Sequence, residues 1–569
     1  MYIATRQWQS ATTLIDLIYA NIDKLSLSRP TVFARINLAK NAIDLQANNP
    51  VVGDRPLRAG FANRNPQIEN LLQETLKQSR MLEDKRAEAS TLGTLGYFYE
   101  RQQQWSIARK FTEQALELSQ AINATDISYQ WQWQLGRLQK KQGDVAGAIA
   151  PYTEAVNNLQ SLRSSLVAIN PDAQFSFRES VEPVYRELVA TLLDGTPSQA
   201  QLKQARETIE SLQLAELENF FQEVCLTAKP KQIDDIDPTA AVIYPIILRD
   251  RLAVILSLPD RSLRYYSTYL PQAKIESTIE NLYQSFNPVF SNQIRLQLSQ
   301  QVYDWSIEPA EAELTKHEIK TLAFVLDGSL RNIPMAALYD GKQYAIEKYN
   351  IALTPGLQLL PPTSLKDNLK AVAGGISQSN QGFASPPGVQ TELTEISSYL
   401  PTKLLLDSEF TEANLQTKLA RINAPILHIA THGQFSSDPE NTYILTWNDR
   451  VKVNEFETLL RNRQFTQINP LDLMVLSACQ TAAGDKQAAL GLAGVAVRSG
   501  ARSTLATLWS VKDNSTTLLM NEFYQELVRS QSGLNKGEAL RQAQLALIDS
   551  EDFDHPFYWA AFVLVGNWL

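Results

Sequence analysis

Apolar residues recur at every third or fourth position from the start of the chain to Cys225, and glycine is sparse over this stretch. This spacing puts apolar side chains on one face of an α-helix, so it predicts a helical N-terminal region. Beyond residue 239 the pattern changes to short runs of β-branched and aromatic residues, which alternate with helical stretches. Such alternation predicts an α/β region that continues to the end of the chain.

An internal repeat lies within the helical region. Leu95-Gly96 recurs as Leu135-Gly136, Ala108 as Ala148 and Ala115 as Ala155, each at an interval of 40 residues (135 − 95, 148 − 108, 155 − 115). Small residues where two helices pack closely are typical of tetratricopeptide (TPR) repeats, whose usual period is about 34 residues; the interval here is longer, so longer helices or turns are expected. Flanking helices at 31–48 and 69–83 would extend the stack. The pattern predicts a surface that binds a protein or peptide, with a passive helical scaffold as the alternative.

The remaining pattern predicts a further helix at 199–224, a linker near 229–238 and a mobile surface loop at 377–389, which is rich in Ser, Gly, Asn and Pro. Helices are predicted at 276–286 and 291–305. The predicted strands are 240–248, 252–258, 263–270, 321–326, 370–374, 426–430, 471–476, 502–508 and 562–565.

Composition excludes several classes of function. The net charge is −9, without basic clusters, which argues against nucleic acid as a partner. The two cysteines, Cys225 and Cys479, are too few for a disulfide framework or a Cys-rich zinc site and fit a reducing compartment. No stretch resembles a signal peptide or a bilayer span of about 20 apolar residues. We therefore expect a cytoplasmic protein that does not bind membranes.

Two apolar strands end in reactive residues. The run 424–431 leads to His432-Gly433, and the run 471–478 leads to Cys479. Functional groups collect beyond the carboxyl ends of parallel strands, and the chain between His432 and Cys479 is long enough for one βαβ-type crossover. An imidazole next to a thiol can take its proton, and the backbone N–H groups of Gly433 and Cys479 are candidate oxyanion donors.

Other interpretations of these residues stand beside this one. A cysteine after an apolar strand is often a small buried hydrophobic residue. The four-residue spacing of His428 and His432 suits zinc on a helix, but their β-branched neighbours favour a strand and no H-E-x-x-H glutamate is present. No phosphate loop, nucleophile-elbow serine or EF-hand pattern occurs, so neither a metal nor a cofactor is predicted.

The paired segments LHIATHG (427–433) and LSACQTAAGD (476–485) resemble the CHAT family of caspase-like cysteine peptidases, which are commonly fused to TPR repeats. GLAGVAVRSGARSTLATLWSVKD (491–513) and HPFYWAAFVLVG (555–566) are also similar to that family, as is the upstream segment QFSFRESVEPVYREL (174–188). The resemblance implies that His432 is the general base and Cys479 the nucleophile. It also implies two caspase-like α/β halves, of which the first is inert.

The expected fold class is therefore α + α/β, with TPR-like helical repeats at 1–228, an inactive caspase-like half at 229–319 and a catalytic half at 320–569. In related caspase-fold peptidases an acidic residue two positions before the cysteine binds a basic P1 side chain. That position is Ser477 here, which is neutral. The segment Trp509–Asp513 is similar to a separase segment that supplies a P1-binding acid, so Asp513 is the other P1 candidate. The alternative role for Asp513 is an N-terminal helix cap.

The preferred function is hydrolysis of protein substrates by a Cys–His dyad, regulated by a protein or peptide that binds the repeats. The alternatives are a catalytically silent interaction scaffold and a transferase or ligase that uses the same thioester intermediate.

Overall fold

The computed structural model describes residues 2, 7–48, 64–169, 177–221, 237–354, 369–436, 441–452, 455, 458, 460, 471–477, 479–481, 500–529 and 535–569. The chain forms two compact units, Met1–Asp194 and Gly195–Leu569. The helix predicted at 199–224, grouped above with the repeats, therefore falls within the second unit.

The first unit is built from consecutive helices that pack against one another. Its described helices are α1 (Trp8–Ile22), α2 (Arg29–Asn48), α3 (Asn65–Met81), α4 (Lys85–Arg101), α5 (Trp105–Ala121), α6 (Thr125–Lys141), α7 (Val145–Ile169) and α8 (Glu182–Leu192), with a π-helical turn at Phe177–Val181.

A regular turn accounts for the constant interval of the repeat. The four helices α3 to α6 are equal in length, and three residues separate each helix from the next. One residue of each turn has a positive φ: Glu83 (52°), Gln103 (59°), Asn123 (53°) and Gly143 (90°). A left-handed residue after the helix lets the chain reverse direction at the same point each time. Two helices with their turns therefore make up one repeat, and equivalent residues recur two helices apart.

The repeated small residues lie where helices come closest together. A Cβ atom on Gly136 would lie 2.7 Å from the ring of Tyr152, and one on Gly96 would lie 2.5 Å from polar side-chain atoms of Gln134 and Thr112. Ala108 and Ala148 are completely buried. These contacts confirm that the repeated positions pack neighbouring helices, as in TPR arrays.

The second unit alternates strands and helices. Its described strands are β1 (Ala240–Ile247), β2 (Leu252–Ser257), β3 (Leu263–Thr268), β4 (Thr321–Phe324), β5 (Asn350–Leu353), β6 (Ala371–Gly375), β7 (Thr402–Leu406), β8 (Ile426–Ala430), β9 (Gly433–Phe435), β10 (Tyr443–Leu445), β11 (Arg450–Lys452), β12 (Leu473–Leu476), β13 (Cys479–Thr481), β14 (Ser503–Thr507) and β15 (Phe562–Gly566). Its described helices are α9 (Gln199–Phe221), α10 (Gln272–Ser285), α11 (Asn292–Ser306), α12 (Glu311–Lys316), α13 (Ala345–Lys348), α14 (Gly388–Tyr399), α15 (Glu412–Arg421), α16 (Asp513–Arg529), α17 (Lys536–Ile548) and α18 (Pro556–Trp559).

Among the described residues, these strands form an 11-stranded sheet in the order β3-β2-β1-β4-β5-β15-β14-β12-β8-β6-β7 and a second sheet of four strands in the order β11-β10-β9-β13. The large sheet is mixed. β12 is parallel to both β8 and β14, whereas β15 is antiparallel to β14. Helical repeats followed by a mixed α/β domain confirm the predicted fold class.

The strands β1 to β5 lie together on one side of the large sheet, and β6, β7, β8, β12, β14 and β15 form the other side. The two sides meet where Val565 of β15 pairs with Leu353 of β5. β4 and β5 therefore join the first group of strands, although the boundary predicted at residues 319 and 320 precedes both of them. Their place in the sheet follows from parallel pairing with β1, a long-range contact that no local pattern encodes.

Helix α9 packs against the large sheet through polar as well as apolar contacts. The amide of Gln213 donates to the carbonyl oxygen of Leu326 at 3.0 Å, and the hydroxyl of Tyr244 donates to Glu210 at 2.7 Å. Leu217, near the end of the helix, joins the buried apolar cluster that includes residues of β8 and β12. The helix thereby supports the strands whose ends carry the residues described next.

Candidate active site

The strands that lead to His432 and Cys479 lie side by side. β8 and β12 are parallel neighbours, with Ile429 opposite Leu476. After these strands both segments enter the four-stranded sheet, where β9 and β13 are again parallel and Cys479 lies directly opposite Gly433. The backbone therefore brings His432, Gly433 and Cys479 together at the carboxyl ends of β8 and β12. The side chain of Cys479 lies outside the described part of the structure.

The hydrogen bonding of β9 orients the backbone of Gly433. The N–H of Leu445 donates to the carbonyl oxygen of His432 at 2.9 Å, while Ile444 is the residue opposite Gly433. Hydrogen-bonded and non-bonded pairs alternate along antiparallel strands, so the pair of Gly433 with Ile444 is of the non-bonded kind. The N–H of Gly433 therefore points away from β10 and towards β13, which begins at Cys479.

A backbone carbonyl and an aromatic ring hold the imidazole of His432. Its Nε2 lies 2.9 Å from the carbonyl oxygen of Ala384. The ring of Phe383 stacks on the imidazole with centroids 5.1 Å apart and an interplanar angle of 25°. A carbonyl oxygen only accepts hydrogen bonds, so Nε2 carries a proton and donates it. Nδ1 of the neutral imidazole is then left with its lone pair, as a general base requires.

Hydrogen bonds made by Ser377, Asn380 and Gln381 anchor the segment that contains Phe383 and Ala384. The carboxylate of Asp407, a residue with φ of 51°, accepts hydrogen bonds from the backbone N–H of Ser377 at 2.7 Å and from its hydroxyl at 2.9 Å. The side-chain amides of Asn380 and Gln381 donate to backbone carbonyls in the turn between β10 and β11, at 2.9 and 2.8 Å. Hydrogen bonds thus fix this segment, predicted above as a mobile loop, against the four-stranded sheet.

An exposed arginine extends the stack that begins at His432. The guanidinium carbon of Arg450 lies 5.8 Å from the ring centroid of Phe383 and 4.8 Å from that of Tyr443. Both distances are within the range of cation–π attraction. Arg450 belongs to β11 and is exposed, so its charge faces solvent close to the imidazole.

The other histidine of β8 occupies a different environment. His428 is completely buried and its Nδ1 lies 3.0 Å from the hydroxyl of Tyr524 on α16. Its Nε2 is 2.9 Å from Oε1 of Glu392 on α14, although the angles fall outside hydrogen-bond geometry. Burial, and secondarily the nearby Glu392 carboxylate, raise the pKa of Tyr524 well above its usual value, so this hydroxyl stays protonated. His428 therefore connects β8 to two helices.

Within the described part of the chain, no group of three or more His, Cys, Asp or Glu side chains is arranged to hold a metal ion. His428 has no access to solvent, whereas His432 is partly exposed. The same described part contains no helix that is both long and apolar enough to cross a membrane.

The two predicted P1 residues lie at the same edge of the sheet. Ser477 follows β12, is buried, and donates its backbone N–H to the carbonyl oxygen of Ile429 at 3.0 Å. Its hydroxyl has no hydrogen-bond partner among the described residues. Asp513 is the first residue of α16, and its side chain lies outside the described part, so neither its pocket role nor its capping role is visible.

Trp509, which begins the segment leading to Asp513, is packed between aromatic rings. Its indole stacks on Phe286 with centroids 5.5 Å apart and on Phe557 at 6.3 Å. The indole N–H donates to the carbonyl oxygen of Phe557 at 3.0 Å. Through these contacts the segment that follows β14 packs against α18 and against Phe286, the residue that follows α10.

Sequence patterns did not single out Phe383, Ala384, Asp407 or Arg450 as site residues. The available signal was weak: one aromatic residue inside the polar segment 377–389. Ala384 contributes only a backbone carbonyl, and Asp407 and Arg450 reach the site through tertiary contacts.

Residues 296–567 match the CHAT domain family model. Tetratricopeptide repeat protein 28 of Mus musculus is 25% identical over 325 residues, which make up 47% of this chain and 13% of the mouse protein. The Homo sapiens protein of the same name is 24% identical over the same extent, so the alignment spans about an eighth of each relative.

Two solved structures are also similar to this chain. The Saccharomyces cerevisiae separase–securin complex has a TM-score of 0.42 and 11% identity, covering 97% of this chain and 48% of the yeast chain. BtubC from P. vanneervenii has a TM-score of 0.27 and 19% identity, covering 38% of this chain and 80% of BtubC.

Proposed function

Because residues 296–567 form a CHAT domain, we propose that this protein is a cysteine endopeptidase with Cys479 as the nucleophile and His432 as the general base. The observation that carries the proposal is the pairing of β9 with β13, in which Cys479 lies opposite Gly433, the residue after His432. The hydrogen bond from Nε2 of His432 to Ala384 supports it, since it leaves Nδ1 free to accept a proton.

In the proposed mechanism, Nδ1 of His432 removes the proton from the thiol of Cys479. The thiolate then attacks the carbonyl carbon of the scissile peptide bond. Negative charge develops on the carbonyl oxygen, and the backbone N–H groups of Gly433 and Cys479 are the proposed donors that stabilise it.

Collapse of the tetrahedral intermediate breaks the C–N bond, and His432 donates its newly acquired proton to the departing amine. A water molecule then gives its proton to His432 and attacks the thioester, which releases the acid product and restores the thiol. Stacking on Phe383 and the hydrogen bond to Ala384 hold the imidazole in one orientation through both half-reactions. Neither step requires a metal or a cofactor.

The residues Ser477 and Asp513 are the proposed P1 contacts. A carboxylate at the base of the pocket would pair with a substrate guanidinium, and its geometry favours Arg over Lys. The buried hydroxyl of Ser477, without a partner among the described residues, is a second polar group at the same edge. A peptide library compared between wild type and Asp513→Ala separates this role from helix capping, which would change stability but not P1 preference.

The TPR-like helices are the proposed regulatory part. Helical repeats of this kind bind proteins or peptides, and binding can shift the equilibrium between inactive and active arrangements of a distant site. We expect low activity from the purified chain alone. Deletion of the first compact unit, residues 1–194, would test this, because high turnover that is unchanged by the deletion would exclude regulation by the repeats.

The dyad can be tested without knowledge of the substrate. In a Cys225→Ser background Cys479 is the remaining thiol, so its rate of alkylation by iodoacetamide can be measured across pH. A dyad predicts fast alkylation at neutral pH that slows in His432→Ala, because the imidazole stabilises the thiolate. A profile with an ordinary thiol pKa of about 8.5, identical in both variants, contradicts the proposal.

The same measurement distinguishes the alternative function, a catalytically silent scaffold built on the repeats. A scaffold needs no activated thiol, so its Cys479 would be alkylated at the rate of an ordinary cysteine, and His432→Ala would not change that rate. Mass spectrometry of new protein N-termini, comparing the active chain with Cys479→Ala, then identifies substrates and cleavage sequences. New N-termini form whether the acyl group passes to water or to an amine, so the two are distinguished at the acyl end: a free carboxylate there favours hydrolysis, and an amide bond to an acceptor amine favours transfer.

A further inference from the structure

Beside His432 lies a positive charge that the proposed mechanism does not use. Arg450 is exposed, and no described carboxylate lies within ion-pair distance of its guanidinium. The neighbouring Asp449 uses its carboxylate to accept the backbone N–H of Arg450 at 2.8 Å, not to neutralise the side chain. The charge is therefore available to a ligand.

Two aromatic rings hold this guanidinium in place. It lies 4.8 Å from the ring centroid of Tyr443 and 5.8 Å from that of Phe383. An arginine usually loses much side-chain freedom when it binds a ligand, so a guanidinium already held against rings loses less. The planar donors that do not face the rings can still form a charge-assisted hydrogen bond with a carboxylate.

The position of Arg450 relative to His432 indicates which part of a substrate it can reach. Protonation of the leaving amine by His432 places the residues after the scissile bond on the imidazole side. The Phe383 centroid is 5.1 Å from the imidazole and 5.8 Å from Arg450, so both groups lie against the same ring. The guanidinium is thus at most about 11 Å from the imidazole, and an extended chain advances roughly 3.3 Å per residue. Arg450 is therefore within reach of the first three residues after the cleaved bond.

We propose that Arg450 selects substrates with an acidic residue among the three positions that follow the scissile bond. This inference rests on the proposed peptidase function and adds a specificity determinant to it. The protein as a whole has a net charge of −9, so a fixed positive charge at this point gives an acidic substrate a local site of attraction. Arg450 touches no reacting atom, and it should therefore change KM more than kcat.

The test uses peptides that differ only in one of these three residues, carrying Glu, Gln or Lys. Wild type should prefer Glu over Lys by roughly three- to tenfold in kcat/KM, as expected for a partly exposed ion pair. Arg450→Met should remove the preference, and Arg450→Glu should reverse it. Raising the salt concentration from about 0.05 to 0.5 M should weaken the wild-type preference. Arg529→Glu, at the exposed end of α16, is the matched control for a lost positive charge.

An acidic preference that survives Arg450→Glu, or its absence from wild type, would overturn the inference. For peptides that are not cleaved, binding to the Cys479→Ala protein is measured by fluorescence anisotropy. Binding of the acidic peptide that does not depend on Arg450 would also contradict the inference. Failure of the peptidase proposal is recognised separately, by ordinary alkylation kinetics of Cys479.

Discussion

Nε2 of His432 lies 2.9 Å from the carbonyl oxygen of Ala384. Because this hydrogen bond assigns the proton of the neutral imidazole to Nε2, the basic nitrogen is Nδ1. The next histidine back along the chain, His428, has its Nδ1 in contact with Tyr524 and no exposed surface. Two histidines four residues apart are therefore expected to have separable functions.

We predict that His432→Gln lowers kcat/KM by at least about a hundredfold while changing the free energy of unfolding little, since the side chain is partly exposed. His428→Gln should have the opposite profile. It disturbs a buried network and should destabilise the protein by roughly 1–3 kcal/mol, while peptidase activity at low temperature stays within about tenfold of wild type. Steady-state kinetics and urea unfolding measure both effects. Loss of activity in His428→Gln without loss of stability would assign the base to His428.

A second prediction concerns the anchor of the segment that carries Ala384. Asp407 accepts both the N–H and the hydroxyl of Ser377, seven residues before Ala384. Asp407→Ala should lower kcat by roughly tenfold with little change in KM. The reason is that the imidazole loses its fixed orientation, whereas the substrate loses no contact. Asp407→Asn should recover part of the loss, since Asn tolerates a positive φ and keeps one acceptor.

Asp260 provides a matched control for this variant. Its carboxylate accepts the N–H and hydroxyl of Ser262 in the turn between β2 and β3, at 2.9 and 2.6 Å. Asp260→Ala removes the same kind of turn contact from strands on the other side of the large sheet. Equal losses of kcat in Asp260→Ala and Asp407→Ala would indicate a general loss of stability and no positioning role.

Local patterns were sufficient for the long elements. The repeat period, the strand Ile426–Ala430 and the adjacency of the strands before His432 and Cys479 follow from apolar spacing, a small-residue repeat and the geometry of parallel sheets. Each of these features is specified by many residues whose local structural preferences agree. The family resemblance at 427–433 and 476–485 agrees with the match of residues 296–567 to the CHAT domain.

Elements defined by few residues or by distant partners could not be predicted. β9, β10, β11 and β13 have three residues each, which is too short for a periodic signal. The polar segment 377–389 has the composition of a free loop, yet Asp407 and the β10–β11 turn fix it in place. Its most direct contact with His432 is a backbone carbonyl, which is independent of the identity of residue 384.

A third prediction concerns the repeat. Gly136→Ala would place a methyl group 2.7 Å from the ring of Tyr152, which is buried and has little room to move. The substitution should destabilise the first unit by roughly 1–3 kcal/mol, even though alanine favours helix formation. Gly143→Asn is the control, because the equivalent turn residue one helix earlier is Asn123, also with a positive φ. We expect Gly143→Asn to change stability by less than about 0.5 kcal/mol, measured by thermal unfolding of both variants.

The last prediction concerns the dependence of stability on pH. Burial, and secondarily the adjacent Arg295 guanidinium, lower the pKa of His555 to about 4. Its Nδ1 accepts the backbone N–H of Phe557 at 3.1 Å and so caps the start of α18. In the unfolded chain a histidine titrates near pH 6.5, so the unfolded state binds a proton before the folded state does. The stabilising contribution is therefore complete above about pH 6.5 and is lost as the pH falls towards 4.

We expect a loss on the order of 1–2 kcal/mol between about pH 7 and 4.5, reduced by solvent that reaches part of the ring. Urea unfolding of wild type and His555→Gln at both pH values measures it. The glutamine keeps an acceptor but does not titrate, so the difference in stability between the two proteins should shrink as the pH falls. The other three histidines are unchanged in this comparison, and their titration cancels. A difference that stays constant with pH would show that His555 titrates alike in the folded and unfolded states.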